Sequence, residues 1–214
     1  MLKIKYELLN KKTAHPQKRI YQMAKLHFIH STMNAGKSTQ LLQTEFNYKE
    51  RGMKCLLLTA GVDNRYGLAK ITSRLGLSSN AHTFDKNSSL LPLIKQAKED
   101  NISCILIDES QFLTETQVWE LCEAVDEYGI PVMAYGLRTD FQGNLFEGSQ
   151  KLMALADDIR ELKTICHCGK KATMVIRMDE TGKAVREGAQ VQIGGNDTYQ
   201  ALCRKHWKEE FKKD

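Results

Sequence analysis

No apolar run in this chain approaches the roughly 20 residues a helix needs to cross a bilayer, which excludes a helical membrane span. Near the N-terminus, no apolar stretch separates the charges at Lys11, Lys12, Lys18 and Arg19 and no small-residue cleavage site follows, so that region does not read as a secretory signal. Internal repeats and low-complexity tracts are also missing. Nor is there length for two ATPase domains, because 214 residues suit one α/β core with a small accessory lobe. Charge imbalance is absent from most of the chain. The formal net charge of +5 arises within residues 1–22, where Lys3, Lys5, Lys11, Lys12, Lys18 and Arg19 oppose only Glu7. From Met23 onward the chain is neutral, which argues against a basic nucleic-acid-binding body. We read residues 1–22 as a basic, poorly ordered extension and Met23 as an alternative start of translation.

What is present begins with short apolar runs at regular intervals. Residues 25–30 read as a strand, and residues 37–50 as a helix that stops near Gly52. Residues 54–60 supply a second buried strand, followed through Asn80 by a stretch with little apolar periodicity that reads as a surface loop. Cys104 to Ile107 is wholly apolar and ends in Asp108 and Glu109, the pattern of a central parallel strand. Thr114 and Gln117 form a capping box ahead of Val118, Leu121, Cys122 and Val125 at helical spacing, and Gly129 ends that helix. Residues 130–137 give a further buried strand. This alternation predicts an α/β fold with a parallel sheet flanked by helices. From Cys166 the texture changes, and residues 173–178 and 184–193 around a Thr181-Gly182 turn predict a hairpin. The expected division is an α/β domain over 23–163 and a small lobe over 164–214.

Residues 31–38 read STMNAGKS, which follows G-x-x-x-x-G-K-[ST] with Ser31 in place of the first glycine. Between a strand and a helix, such a loop offers backbone N–H groups and a helix dipole to phosphate. Lys37 would reach the β- and γ-phosphates and Ser38 would ligate Mg2+, in a P-loop NTPase fold of the RecA-like type. Asp108 stands where such an enzyme needs its magnesium-associated carboxylate, and Glu109 is a candidate general base for an attacking hydroxyl. Each piece also has a plainer account, as an ordinary Gly-Lys helix start or a solvated acid at a strand end.

The six cysteines could form three disulfides, but Cys55, Cys104 and Cys122 lie in apolar stretches and the other three gather near a histidine. That pattern reads as reduced thiols plus a metal site in a cytoplasmic protein. Cys166-x-Cys168 and Cys203-x-x-His206 enclose 34 residues and make a four-ligand set with no open position, as in structural zinc sites, with His167 as a competing ligand. Closing such a loop costs on the order of 3 kcal/mol, while structural zinc supplies an apparent ~10–16 kcal/mol. Redox-active cysteines are the other reading.

Taken together, MNAGKS, DESQFL, YGLRTDF, the two metal-ligand pairs and IGGNDTY resemble the type II thymidine kinases from about Met23 to the C-terminus. Ser31 matches a bacterial branch of that family. The resemblance implies a P-loop domain with a zinc-bearing lasso that closes over the nucleoside, and transfer of phosphate from ATP to thymidine in nucleotide salvage. By it, residues Ser31, Thr32, Met33, Asn34, Ala35, Gly36, Lys37 and Ser38, completed by Asp108, Glu109, Ser110 and Gln111, would bind ATP. Glu109 would be the proton acceptor, and Cys166, Cys168, Cys203 and His206 would bind zinc. Met33, Phe112, Leu137, Phe141, Phe146 and Tyr199 would line the thymine pocket, with backbone around Gln192, Ile193 and Gly194 on the base edge, and Asp63 and Arg65 would sit in a loop near the phosphates. The resemblance also implies a homotetramer and feedback inhibition by thymidine triphosphate (dTTP). Deoxyuridine, one methyl smaller, is expected to be a poorer substrate. Two other readings remain: a nucleic-acid-dependent ATPase, since DESQ has the form of a helicase D-E-x-Q box, and a non-catalytic nucleotide sensor bearing a zinc ribbon.

Overall fold

The computed structural model describes residues 24–61, 70–192 and 198–212. The expected N-terminal extension, Met23, Asp63, Arg65, Ile193 and Gly194 lie outside the described residues. The chain runs β1 (Leu26–Ser31), α1 (Lys37–Glu50), β2 (Cys55–Ala60), β3 (Lys70–Thr72), β4 (Ser78–Asn80), β5 (His82–Phe84), α2 (Leu91–Glu99) and β6 (Cys104–Ile107). A single 3-10 turn (Ser110–Phe112) leads to α3 (Glu115–Asp126), β7 (Val132–Leu137), α4 (Glu147–Leu155) and β8 (Asp158–Glu161). The C-terminal part carries β9 (Thr164–Ile165), β10 (Lys171–Ala172), β11 (Met174–Arg177), β12 (Tyr199–Leu202) and α5 (Arg204–Glu210).

Six strands form one sheet in the order β5-β2-β6-β7-β1-β8, and every neighbouring pair is parallel. The α/β expectation therefore holds. Alternating strand residues feed two apolar layers, as a sheet covered on both faces requires. Leu26, Phe28, Ile105, Ile107, Val132 and Ala134 pack with Ile94 of α2, Val118 and Leu121 of α3 and Leu152 of α4. On the other face Ile29, Leu57, Cys104, Leu106 and Tyr135 pack with Leu41 and Leu42 of α1. β7 lies between β1 and β6, and the parallel strands deliver Ser31, Leu137 and Asp108 to a single edge.

Two expectations need correction. The stretch before Asn80 is not all loop, since β3 and β4 pair antiparallel and Ile71 is buried beside Leu41 and Ala81. One apolar residue in a short polar hairpin leaves too little periodicity to read. The C-terminal hairpin is also assembled differently. The turn exists, with Asp179 Oδ1 accepting from Thr181 and Lys183 N–H groups and a single bridge joining Met178 to Ala184. The ladder partner of β11, however, is β12, with Met174 opposite Leu202 and Arg177 opposite Tyr199. Burial decides this: Tyr199 and Leu202 enter the interior, whereas residues 186–192 are exposed. α2 and α4 were not foreseen, although Pro92 stands at the first turn of α2, where a missing N–H costs nothing.

Candidate functional site

Residues 32–36 turn the end of β1 into the start of α1, and Asn34 (φ 64°) and Gly36 (φ 80°) take left-handed backbone to do so. At Gly36, the helix N-cap, no side chain caps the helix, and its first turn holds no acid. The N–H groups and positive dipole end of α1 are thus left for an external anion. α3 is the contrast within the same molecule: Thr114 Oγ1 accepts from Gln117 N–H, Gln117 Oε1 accepts from Thr114 N–H, and Glu115 sits in the first turn.

Lys37 is buried, and its Nζ donates to Ser31 Oγ at 3.1 Å and to the Thr32 carbonyl at 3.1 Å. Burial pulls its ammonium below the usual lysine range, opposed by the carboxylates of Glu109 and Asp108. Asp108 is 5% exposed; burial and then the Glu109 charge push its carboxyl up to about 7, against a hydrogen bond from Ser38 and the attraction of Lys37. The phosphate loop and the Asp108–Gln111 loop therefore meet at one sheet edge. Ser38, Asp108 and Glu109 supply the oxygen donors that a hard divalent cation takes, and the raised Asp108 carboxyl marks a place where added positive charge is favourable.

Glu109 itself has φ 55° and ψ 37°, a left-handed conformation that costs a non-glycine residue of order 1 kcal/mol or more. Gln111 spans the loop: its Nε2 donates to Glu109 Oε2 at 2.6 Å, and its Oε1 accepts from Leu137 N–H at 2.9 Å. Ser110 is fully buried.

Of the thymine set, Phe112 and Phe146 meet edge to face at 5.9 Å, and Phe141 carries the Arg177 guanidinium 3.9 Å above its ring. Tyr199 donates its hydroxyl to the Gln192 carbonyl at 2.8 Å. A cavity of about 450 Å³ opens between Asn34 of the phosphate loop and the C-terminal lobe, lined by Thr164, His167, Met178 and Tyr199 among others. Only Tyr199 of the expected set lines it. Phe141 and Phe146 are buried instead at 2% and 5% exposure, and Met33 within the loop and Leu137 at the end of β7 are half-buried.

Cys166, Cys168, Cys203 and His206 bring their ligand atoms within 4.8 Å of one another. His206 Nδ1 lies 3.3 Å from Cys166 Sγ and 3.5 Å from Cys203 Sγ, and the Cys168 and Cys203 sulfurs are 3.9 Å apart. Ligand bonds of about 2.0–2.3 Å in a tetrahedron give edges of about 3.3–3.8 Å, so the donor set fits a metal ion. Burial raises the Cys166 thiol, but hydrogen bonds from the Cys168 and Cys203 backbones and from His206 outweigh it and bring it down to about 6, toward the thiolate a metal requires. His167 stacks on His206 at 4.3 Å and is outside the four-ligand group.

Sequence reading missed the fasteners between this lobe and the sheet. Trp207 Nε1 donates at 3.1 Å both to the Phe141 carbonyl and to the Val175 carbonyl. Arg138 reaches the Thr173 carbonyl at 3.1 Å, Gln190 reaches Asp140 at 2.9 Å, and Lys171 pairs with Glu161. Arg177 is 3% exposed with Nη1 on the Ala189 carbonyl, and its Nε has no hydrogen-bond partner among the described residues. No short motif contains these pairs, whose members lie 10 to 66 residues apart in the chain.

The family described as thymidine kinase matches residues 24–207. A thymidine kinase of Rhodopirellula baltica is 57% identical over 188 residues, covering 87% of this chain and 89% of that protein. Thymidine kinases of Yersinia pseudotuberculosis (57% over 191 residues, 89% and 97% covered) and Agrobacterium fabrum (54% over 190 residues, 88% and 98% covered) are similarly related.

Proposed function

This chain belongs to the thymidine kinase family, and from that premise we propose that it transfers the γ-phosphoryl group of ATP to the 5′-hydroxyl of thymidine, giving thymidine monophosphate. The observation that supports this chemistry is the meeting, at one sheet edge, of an uncapped helix N-terminus, a buried lysine and an adjoining pair of carboxylates. In this reading the α1 N–H groups and Lys37 hold the phosphates, with Lys37 exchanging its bonds to Ser31 and Thr32 for phosphate oxygens. Glu109 takes the proton of the 5′-hydroxyl as that oxygen attacks the γ-phosphorus, and ADP leaves with the electrons of the β–γ bridge bond. Ser38 and Asp108 would hold Mg2+, whose contribution is neutralisation of phosphate charge.

Zinc is the metal we assign to the Cys3His set, because three thiolates and an imidazole with no open position suit a closed tetrahedral centre. It would stiffen a lobe over 164–214 that closes on the nucleoside, with Phe112, Phe146, Phe141, Leu137, Met33, Tyr199 and the Gln192 region around the base. We further assign a homotetramer, supported by the apolar surface left by Phe46 of α1 and by Leu75 and Leu77 of the adjoining hairpin, which are 53%, 77% and 45% exposed. Inhibition by dTTP would use the same nucleoside and phosphate positions. A cytoplasmic setting accords with six free cysteines.

The test is phosphate transfer from ATP with Mg2+ to thymidine, deoxyuridine, deoxycytidine and deoxyguanosine offered separately. Thymidine is expected to dominate, with deoxyuridine behind it by the roughly 1–3 kcal/mol that one methyl is worth. Equal turnover of deoxyguanosine, or ATP hydrolysis with no nucleoside product, overturns the assignment.

A further inference from the structure

Gln111 is 2% exposed and both ends of its amide are engaged by the protein. Its orientation is fixed by chemistry: the Leu137 N–H can only donate, so the amide oxygen must face Leu137 and the NH2 must face Glu109. Leu137 is itself held on its other side, where its carbonyl accepts from Ser149 Oγ at 2.6 Å. The backbone around Gln111 is equally confined. A Cβ at Gly136 would stand 2.5 Å from Ser110 Oγ and 3.0 Å from both the Gln111 backbone nitrogen and Oε1, and a Cβ at Gly148 would stand 2.7 Å from the Leu113 and Ser110 carbonyl oxygens and 3.0 Å from that of Gln111. Two glycines on β7 and α4 thus make the slot that the turn carrying Gln111 fills. On its far side the slot ends at a glutamate in left-handed backbone, a conformation that persists only where the surroundings hold it.

We propose that Gln111 is a positioning residue, an amide strut from the end of β7 that holds the Glu109 carboxylate in its reactive place, and that it is not a nucleotide contact. This rests on Glu109 being the proton acceptor. The strut also ties the carboxylate to the strand that ends at Leu137, so the base and one wall of the nucleoside site share a single frame.

The experiment is steady-state kinetics of the full chain with Mg2+, ATP and thymidine on Gln111→Glu, Gln111→Met and Glu109→Gln, with the Glu109→Gln/Gln111→Glu double variant closing a cycle. Gln111→Glu keeps an acceptor for Leu137 but loses the donor to Glu109; Gln111→Met loses both. Each Gln111 variant is expected to lower kcat about 10-fold or more, as misplacement of a reacting group does, with KM for ATP changed less than about twofold. In the Glu109→Gln background the Gln111→Glu change is expected to cost little more, because the strut then has no base to hold. If one Gln111 variant fails to fold the other carries the test, because Gln111→Glu and Gln111→Met remove the donor to Glu109 by separate routes. A raised KM for ATP with kcat retained, or losses that multiply across the cycle, overturns the proposal. Full kcat in Glu109→Gln removes the proton-acceptor reading itself; loss there with unchanged kcat in the Gln111 variants removes only the strut.

Discussion

Glu109 and Asp108 are adjacent in the chain but face different demands. Replacing Glu109 with Gln keeps the shape and the bond from Gln111's side of the loop while removing the proton acceptor, and kcat is expected to fall by about 10²–10⁴ with both KM values little altered. Asp108 carries a cost in the unliganded protein. Its carboxyl is raised from 3.8 to about 7 by burial and by Glu109, so its contribution to stability is complete below about pH 4 and is lost as pH rises through about 7. Asp108→Asn is therefore expected to raise the thermal midpoint of the free protein at pH 8, to leave it nearly unchanged at pH 4, and to depress turnover. Thermal melts at the two pH values check the first part and a kinase assay the second. Both carboxylates were legible in the sequence, because an apolar strand ending in Asp-Glu after a phosphate loop is a local pattern. Gln111's partner at Leu137 was not, since 26 residues separate them and only the pairing of β6 with β7 brings them together.

The helices differ in what their N-termini are for. α3 is closed by its own capping box, so Thr114→Ala is expected to cost about 1 kcal/mol in denaturant unfolding without altering kinetics. α4 begins against the 3-10 turn, and at its second residue a Cβ on Gly148 would lie 2.7 Å from the carbonyl oxygens of Leu113 and Ser110. Gly148→Ala is expected to destabilise by about 1–3 kcal/mol and, unlike Thr114→Ala, to lower kcat as well, because the displaced turn carries Gln111. α1, the capping box and the central strands could be read from sequence because each announces itself within a few residues. The short β3–β4 hairpin and the β11–β12 pairing could not, because one depends on a single buried isoleucine and the other on a strand more than 20 residues downstream.

At the scale of the whole molecule, the C-terminal lobe has a very small apolar interior, of which Cys166 and Cys203 are themselves members alongside Ala172, Ile176 and Leu202. So few apolar residues do not hold a fold alone, and two members of the candidate metal set, Cys166 and Cys203, double as core. Chelation of the metal, or Cys168→Ser, is expected to release the lobe as a unit while the six-stranded sheet persists, seen as an early separate transition in calorimetry with loss of bound metal.

Trp207 stands one residue beyond His206, with its indole N–H shared between the Phe141 and Val175 carbonyls. The chain has only one other tryptophan, Trp119, which is 52% exposed. A Trp119→Phe protein would thus carry a single tryptophan, at the seam between sheet and lobe, which excitation at the red edge of the absorption band addresses apart from the tyrosines. Its emission would turn red when the seam opens to water, so the molecule contains an optical gauge that can follow the lobe's engagement in real time without any added label.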